Sequence, residues 1–317
     1  MKIFIKNCFR KLSEFLSFPH NIRNELLTNK QNNLLNILVK KINSTDTKNS
    51  KKLKTHKSFS KNVGFLIKNK KLANFLRINI IQNIFFIHNR FYLAFQLYKI
   101  LSSPNWKLWK KLLLEKKIGN PVPYFLYKKT SGNRIRHVYH LKNFFDGYGF
   151  RNYDCVIEIG GGYGCMCDIF NNINNKKKYI IFDTFEVNLL QYYYLKSLNY
   201  KVSLNKYSSN IMLISNIDLF KKIVNSLGKN TNKILISNWG LSEFPINLRK
   251  EIMSFAPKCN SFLISFQKKF ERINNLFFFR KYFLKYNDRY FIKFKKIHSM
   301  NFLNFTNQHY YLFGNKK

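Results

Sequence analysis

The hydrophobic pattern changes character once along the chain. Over residues 3–16, Ile5, Cys8, Phe9, Leu12, Phe15 and Leu16 recur at helical spacing with Lys6, Arg10 and Lys11 opposite, and Pro19 stops the run. Residues 43–62, NSTDTKNSKKLKTHKSFSKN, almost lack large apolar side chains and read as a linker or loop. Helical patterning returns over 63–118 through Phe65, Leu72, Phe75, Phe85, Phe91, Phe95, Trp106 and Trp109. It predicts two or three helices, ended by the prolines and glycine of GNPVPY at 119–124. After a helical stretch around His137–Phe145 the texture becomes β-like. The runs CVIEI, YIIF, KVSL, NIMLI, KILIS and FLISF alternate with helical segments, as in a parallel sheet covered on both faces. Two late runs, RYFIKFKKI at 289–297 and QHYYLF at 308–313, predict a closing antiparallel strand pair. The expected layout is a helical accessory segment, 1–118, followed by an α/β domain, 119–317.

Length and charge narrow the function classes. A chain of 317 residues with 45% hydrophobic residues can bury a core and is not a disordered polymer. Its net charge is +41, with 30 basic and 4 acidic residues before Asp146 and 26 and 11 from there on. That excess invites nucleic acid as a partner. The abundance of Lys, Asn, Ile, Phe and Tyr also fits the drift of an A/T-biased genome, and nucleic acid is the disfavoured choice. No apolar run approaches the ~20 residues of a membrane span. The 3–16 helix fits packing against its own protein; peripheral contact with an anionic membrane is the alternative. The N-terminus has charges through its middle and no small-residue cleavage site, unlike a signal peptide. The five cysteines form no CxxC pair, which fits a reducing compartment, and no metal-ligand cluster stands out. The expected location is the cytoplasm; oligomeric state is left open.

The chemistry concentrates at CVIEIGGGYG, residues 155–164, where a buried strand runs into glycines and then into a helical segment. Glu158, Gly160, Gly162 and Gly164 spell E-x-G-x-G-x-G. Asp183 closes the next strand, 19 residues after Gly164, where an acid suits the ribose hydroxyls of a nucleotide-like cofactor. A dinucleotide fingerprint is spaced G-x-G-x-x-G and holds a pyrophosphate at the helix N-terminus. The spacing here differs, and a carboxylate two residues before the first glycine would repel a pyrophosphate and suit a cationic amino-acid end. This points to S-adenosylmethionine rather than a nicotinamide cofactor.

Together the phrases GNP (119–121), RHVYHL (136–141), VIEIGGGYG (156–164), FDTFEVNLLQYYYLKSL (182–198), NWGLSEFPINLR (238–249) and FLISFQKKFERINN (262–275) resemble the class I S-adenosylmethionine-dependent methyltransferases. More narrowly, they resemble a sugar O-methyltransferase family from bacterial surface-polysaccharide gene sets. The resemblance covers roughly residues 119–313 and implies a Rossmann-like, doubly wound, mostly parallel sheet. It implies that Glu158, Gly160, Gly162, Tyr163 and Gly164 form the cofactor loop, that Asp183 takes the ribose, and that Asn238 and Trp239 face methyl donor and acceptor. The implied acceptor is a sugar, nucleotide-sugar or glycan hydroxyl.

A sugar hydroxyl benefits from a positioned base. Glu243 in GLSEFP and His140 are the catalytic candidates. Glu243 also fits a helix-capping arrangement with Ser242 and Pro245, and His140 and His137 also fit packed or surface imidazoles. Tyr163 fits plain packing as well as cofactor contact. Gln191, Tyr194 and Leu195 read as a core stripe. Arg134 and Arg136 fit either a grip on an anionic substrate or a solvated surface. An RNA or DNA methyltransferase is the enzymatic alternative, although KILISNWG lacks the Asn/Asp-Pro-Pro-Tyr/Phe run of exocyclic-amine methylation. A non-catalytic basic adaptor that keeps the fold is the other.

Overall fold

The structure is a computed structural model that describes residues 26–44, 54–85, 91–173, 178–297 and 308–317. The chain divides into two compact units, one of Met1–Asn143 with Tyr193–Tyr200 and one of Phe144–Tyr192 with Lys201–Lys317. The expected boundary at 118/119 therefore differs from the observed division. The reason lies in backbone groups that tie 119–134 to the helices before them. Leu76 N–H donates to Gly119 O at 3.0 Å and Glu115 N–H to Lys129 O at 3.0 Å. Arg77 Nε donates to Asn120 O at 2.8 Å and Arg134 Nε to Leu112 O at 2.7 Å.

The first unit holds α1 (Asn29–Ser44), α2 (Lys54–Lys68), α3 (Asn79–Ile84), α4 (Tyr92–Leu101) and α5 (Trp106–Leu113). The short hairpin β1 (Pro123–Tyr124) and β2 (Tyr127–Ser131) follows, then α6 (Gly132–Tyr148), of which residues up to Asn143 belong to this unit. Residues 54–62, expected to belong to the linker, are helical. Phe59 begins an apolar stripe with Val63, Leu66 and Ile67, all buried, and this stripe carries the helix back into the polar run. Phe59 also meets Phe85 edge to face at 5.4 Å. The expected 3–16 helix lies outside the described residues.

The second unit is a Rossmann-like α/β sandwich. In chain order it contains β3 (Cys155–Ile159), α7 (Cys165–Ile173), β4 (Lys178–Phe182), α8 (Phe185–Ser197, up to Tyr192 in this unit), β5 (Val202–Leu204), β6 (Ile211–Ile214) and α9 (Ile217–Ser226). It continues with β7 (Lys233–Asn238), α10 (Gly240–Glu243), α11 (Ile246–Met253), β8 (Ser261–Gln267), β9 (Lys269–Phe270), β10 (Ile273–Asn274), α12 (Asn275–Leu284), β11 (Tyr290–Lys296) and β12 (His309–Lys316). Eight strands form one sheet in the order β5-β6-β4-β3-β7-β8-β12-β11. All neighbours pair in parallel except β12, which runs antiparallel to both β8 and β11. Each predicted apolar run is a strand. Every residue of β3, β6 and β8 is buried, as a sheet covered on both faces requires. The chain leaves β3 for β4 on one side and later returns to β7 on the other. A crevice at the carboxyl ends of β3 and β7 is the place such sheets offer to a ligand. Among the described residues no helix is long and apolar enough to cross a membrane.

Candidate functional site

The glycine loop is fastened to both strands beside it. Gly160 has φ +74° and Gly162 φ +56°, values that side-chain-bearing residues rarely adopt. Gly160 N–H donates to Phe182 O at 3.0 Å. On the other side Ser237 Oγ donates to Ile159 O at 2.9 Å and accepts Leu241 N–H at 2.8 Å. The end of β7 is thereby bolted to the end of β3.

Asp183 ends β4 as expected, and its carboxylate is the centre of a small network. Thr184 N–H donates to Oδ1 at 2.8 Å and Gln191 Nε2 to Oδ2 at 3.1 Å. The backbone amides of Gly161 and Gly162 bond the same carboxylate. Gln191 Nε2 also reaches Gly162 O at 3.0 Å. Gln191, expected in a core stripe, thus ties glycine loop to acid. Its signal in the sequence was polarity: a glutamine inside an apolar helix face needs partners. Burial pushes Asp183 up to about 7 against the pull of these hydrogen bonds.

Glu158 lies under the loop. Its side chain is buried in β3, accepts a hydrogen bond from Tyr179 Oη at 2.8 Å, and lies beneath Gly161. Burial raises it to about 8, and the charge of Asp183 adds to the effect. Burial favours the protonated form of Glu158, which weakens its repulsion of a pyrophosphate. Glu158 supports the loop from below. Tyr163 is buried within the loop.

A second cluster lies at the ends of β7 and β8. Asn238 Oδ1 accepts from Ser265 Oγ at 2.8 Å. Trp239 has φ +66°, and its indole Nε1 donates to His309 Nδ1 at 3.0 Å, so the ring is committed to the start of β12. Glu243 Oε1 accepts from Gln267 Nε2 at 3.2 Å. The capping arrangement with Ser242 and Pro245 is not formed: Pro245 is the N-cap of α11, and no side-chain cap hydrogen bond is made there. Arg249 is buried below, donating to Ser242 O, to Phe244 O at 2.9 Å and to Asn275 Oδ1 at 2.7 Å. Burial pushes Glu243 up to about 7, while Gln267 and the Arg249 charge pull the other way. His309 arrives from the last strand, far from the motifs, and Gln267, though inside FLISFQKKFERINN, is not singled out by the sequence because its partner Glu243 lies on another element.

The remaining candidates belong to the first unit. His140 is buried on α6, its ring 6.4 Å from that of His137. Burial and the charges of Arg136 and Arg134 hold His137 down at about 3. Arg134 and Arg136 are buried rather than on a solvated surface. Arg134 is buried, bonded to Leu112 O and 3.6 Å from Glu115. Arg136 donates to Phe85 O at 2.8 Å and Asn133 Oδ1 at 3.1 Å.

Three acids with raised values set a pH dependence. Between their ordinary range near 4 and about 7–8, Glu158, Asp183 and Glu243 hold protons in the folded chain that the unfolded chain has lost. Stability then falls as pH rises through that window. The thermal midpoint is expected to be lower at pH 8 than at pH 6, and Glu158→Gln is expected to reduce the difference; equal midpoints would contradict the burial of these acids.

No family model matches the chain, and no curated protein does. Among solved structures it is similar to magnesium protoporphyrin IX methyltransferase from Synechocystis PCC 6803 with bound SAM, at 11% identity over 71% of this chain and 97% of that one, TM-score 0.38. It is similar to the plantazolicin methyltransferase BamL in complex with SAH at 10% identity over 56% and 82%, TM-score 0.37. It is also similar to the METTL16 MTase domain at 10% identity over 57% and 67%, TM-score 0.37. The fold class itself rests on the strand order.

Proposed function

We propose that the second unit binds S-adenosylmethionine and is a methyltransferase whose acceptor is a hydroxyl of a sugar, nucleotide-sugar or glycan. The observation that carries the cofactor is the joint of the glycine loop, Asp183 and Gln191 at the carboxyl edge of the sheet. The donor set suits a nucleoside: a carboxylate for ribose hydroxyls, with amide groups beside it. Among the described residues, Gln191 Oε1 and both amide atoms of Asn188, one helical turn away on α8, are buried without hydrogen-bond partners. Buried polar atoms left open mark a place for polar ligand groups. A dinucleotide sheet is wound from two parallel halves, whereas here the reversed β12 stands between β8 and β11. The sugar acceptor rests on the resemblance of the phrases around RHVYHL and NWGLSEFPINLR.

The bound cofactor supplies an already activated methyl group, so the chain's own task is alignment and proton removal. Asp183 would hold the ribose, and the glycine loop would shape the floor beneath the tail, its Gly160 amide being bonded to Phe182 O and its Gly161 and Gly162 amides to Asp183. Glu243 would accept the hydroxyl proton while the acceptor oxygen bonds to the methyl carbon and the carbon–sulfur bond breaks.

Asp183→Asn tests the cofactor. With Asp183 near 7 in the free protein, ionisation favours the ribose bond, so affinity is expected to rise from pH 6 to pH 8. In Asp183→Asn it is expected to be weaker by about 1–3 kcal/mol and insensitive to pH in that window. Calorimetric titration on the full chain measures both; unchanged affinity and an unchanged pH profile would remove Asp183 from the site. A methyl-transfer assay over nucleotide sugars and surface glycans, read by mass, tests the acceptor. The +41 charge favours RNA as the competing acceptor. Salt-sensitive RNA methylation with no sugar methylated would decide for it.

A further inference from the structure

We propose that the outer face of α4, with the tip of the β1–β2 hairpin and the lysines around them, docks on an anionic lipid bilayer. This lies wholly within the first unit and does not depend on the function proposed for the second. α4 turns Leu93, Leu97 and Ile100 inward and leaves Phe95, Tyr98 and Leu101 exposed at 46%, 62% and 40%. One turn earlier, Phe91 meets Phe125 of the hairpin tip at 5.7 Å, and Leu126 beside it is 59% exposed. A run of large apolar side chains therefore continues from the hairpin along the helix. Scattered exposed apolar residues need no explanation, but a continuous run on one face does.

Charge names the occupant. Between Asp46 and Glu115 the sequence contains no acidic residue. Glu115 is itself taken up by Ser131 and Arg134. Lys99 Nζ lies 5.5 Å over the Phe95 ring and 5.8 Å over Tyr98, between the apolar side chains and solvent. α5 buries Trp109, Leu112 and Leu113 and exposes Lys107, Lys110 and Lys111; the hairpin exposes Lys128 and Lys129. Apolar side chains edged by lysines are what an interfacial element brings to anionic headgroups and the acyl boundary beneath them. A nucleic-acid platform would offer aromatic faces to bases. Here Lys99 already covers both rings, and Leu101 and Leu126 have no face on which a base can stack.

The test is cosedimentation of the full chain with vesicles of phosphatidylcholine alone and with about a third phosphatidylserine, at about 0.15 M salt. Binding is expected only to the anionic vesicles. The variant Phe95→Ser/Tyr98→Ser/Leu101→Ser keeps every charge and is expected to bind about tenfold more weakly or worse. Lys107→Ala/Lys110→Ala/Lys111→Ala, which leaves the apolar run untouched, is expected to weaken binding too. Circular dichroism of both variants confirms that these exposed positions leave the fold intact. Failure of the parent chain to bind anionic vesicles overturns the proposal. So does undiminished binding by the serine variant, which would reduce the effect to diffuse charge. Loss of polyuridylate binding by the serine variant with vesicle binding unchanged would give the surface to nucleic acid instead.

Discussion

Gly160→Ala is expected to destabilise the second unit by about 2–5 kcal/mol, a sum of backbone strain and overpacking. Gly160 sits at φ +74°, and a Cβ there would stand 2.7 Å from Gly240 Cα. That neighbour is backbone and cannot rotate away. It is also held, because Ser237 Oγ bonds Ile159 O at 2.9 Å and Leu241 N at 2.8 Å across the same joint. Relief would require the end of β7 to leave the end of β3, which opens the crevice where the loop, Asp183 and Gln191 meet. Since a domain's whole stability is about 5–15 kcal/mol, the variant is expected to lose a large part of it. Gly240→Ala is the companion. Its Cβ would meet Gly160 Cα at 2.7 Å and Ile159 O at 2.8 Å, but Gly240 has no positive φ. The difference between the two variants isolates the conformational part. Denaturant midpoints within about 0.5 kcal/mol of the parent, the scale of a neutral surface change, would show that the two strand ends do not bear on each other as described.

What the sequence disclosed follows from which interactions are local. Parallel strands buried on both faces must be near-continuous apolar runs, so CVIEI, NIMLI and FLISF are legible as strands without any partner being known. The glycine loop and Asp183 are legible because each position has a backbone or end-of-strand reason to be what it is. Long-range pairing leaves no such trace. His309 reaches Trp239 only because β12 returns antiparallel beside β8, with His309 opposite Gln267. Arg134 and Arg136 fit either an anion grip or a solvated surface in the sequence, because arginine is usually exposed. Their burial depends on carbonyls of Leu112 and Phe85, which spacing does not reveal. Glu158 shows the sharper limit. Its position is legible in the motif, but the burial that pushes the acid up and the Tyr179 hydrogen bond that pulls it down depend on long-range packing.

Glu243→Gln is expected to lower kcat by about 10²–10⁴-fold, the usual worth of a positioned base, while cofactor affinity changes little. On the proposed reading the structure motivates this through an asymmetry around the acid. Arg249 lies close by, and its two terminal nitrogens donate to the carbonyls of Ser242 and Phe244 and to Asn275 Oδ1, with the ring of Phe278 4.9 Å away. Gln267, a neutral donor, bonds the carboxyl at 3.2 Å. Burial therefore outweighs the nearby charge and leaves Glu243 near 7. An acid poised there is ionised often enough to accept a proton and basic enough to hold it. kcat is accordingly expected to rise with pH through about 7 and then level off. Glutamine preserves shape and still accepts from Gln267, so the variant should fold as the parent does. Its residual rate should lack the inflection near 7. Unreduced turnover with the inflection intact would return Glu243 to a structural role. A reduced rate that keeps the inflection would move the base elsewhere, with His309 the first residue to replace.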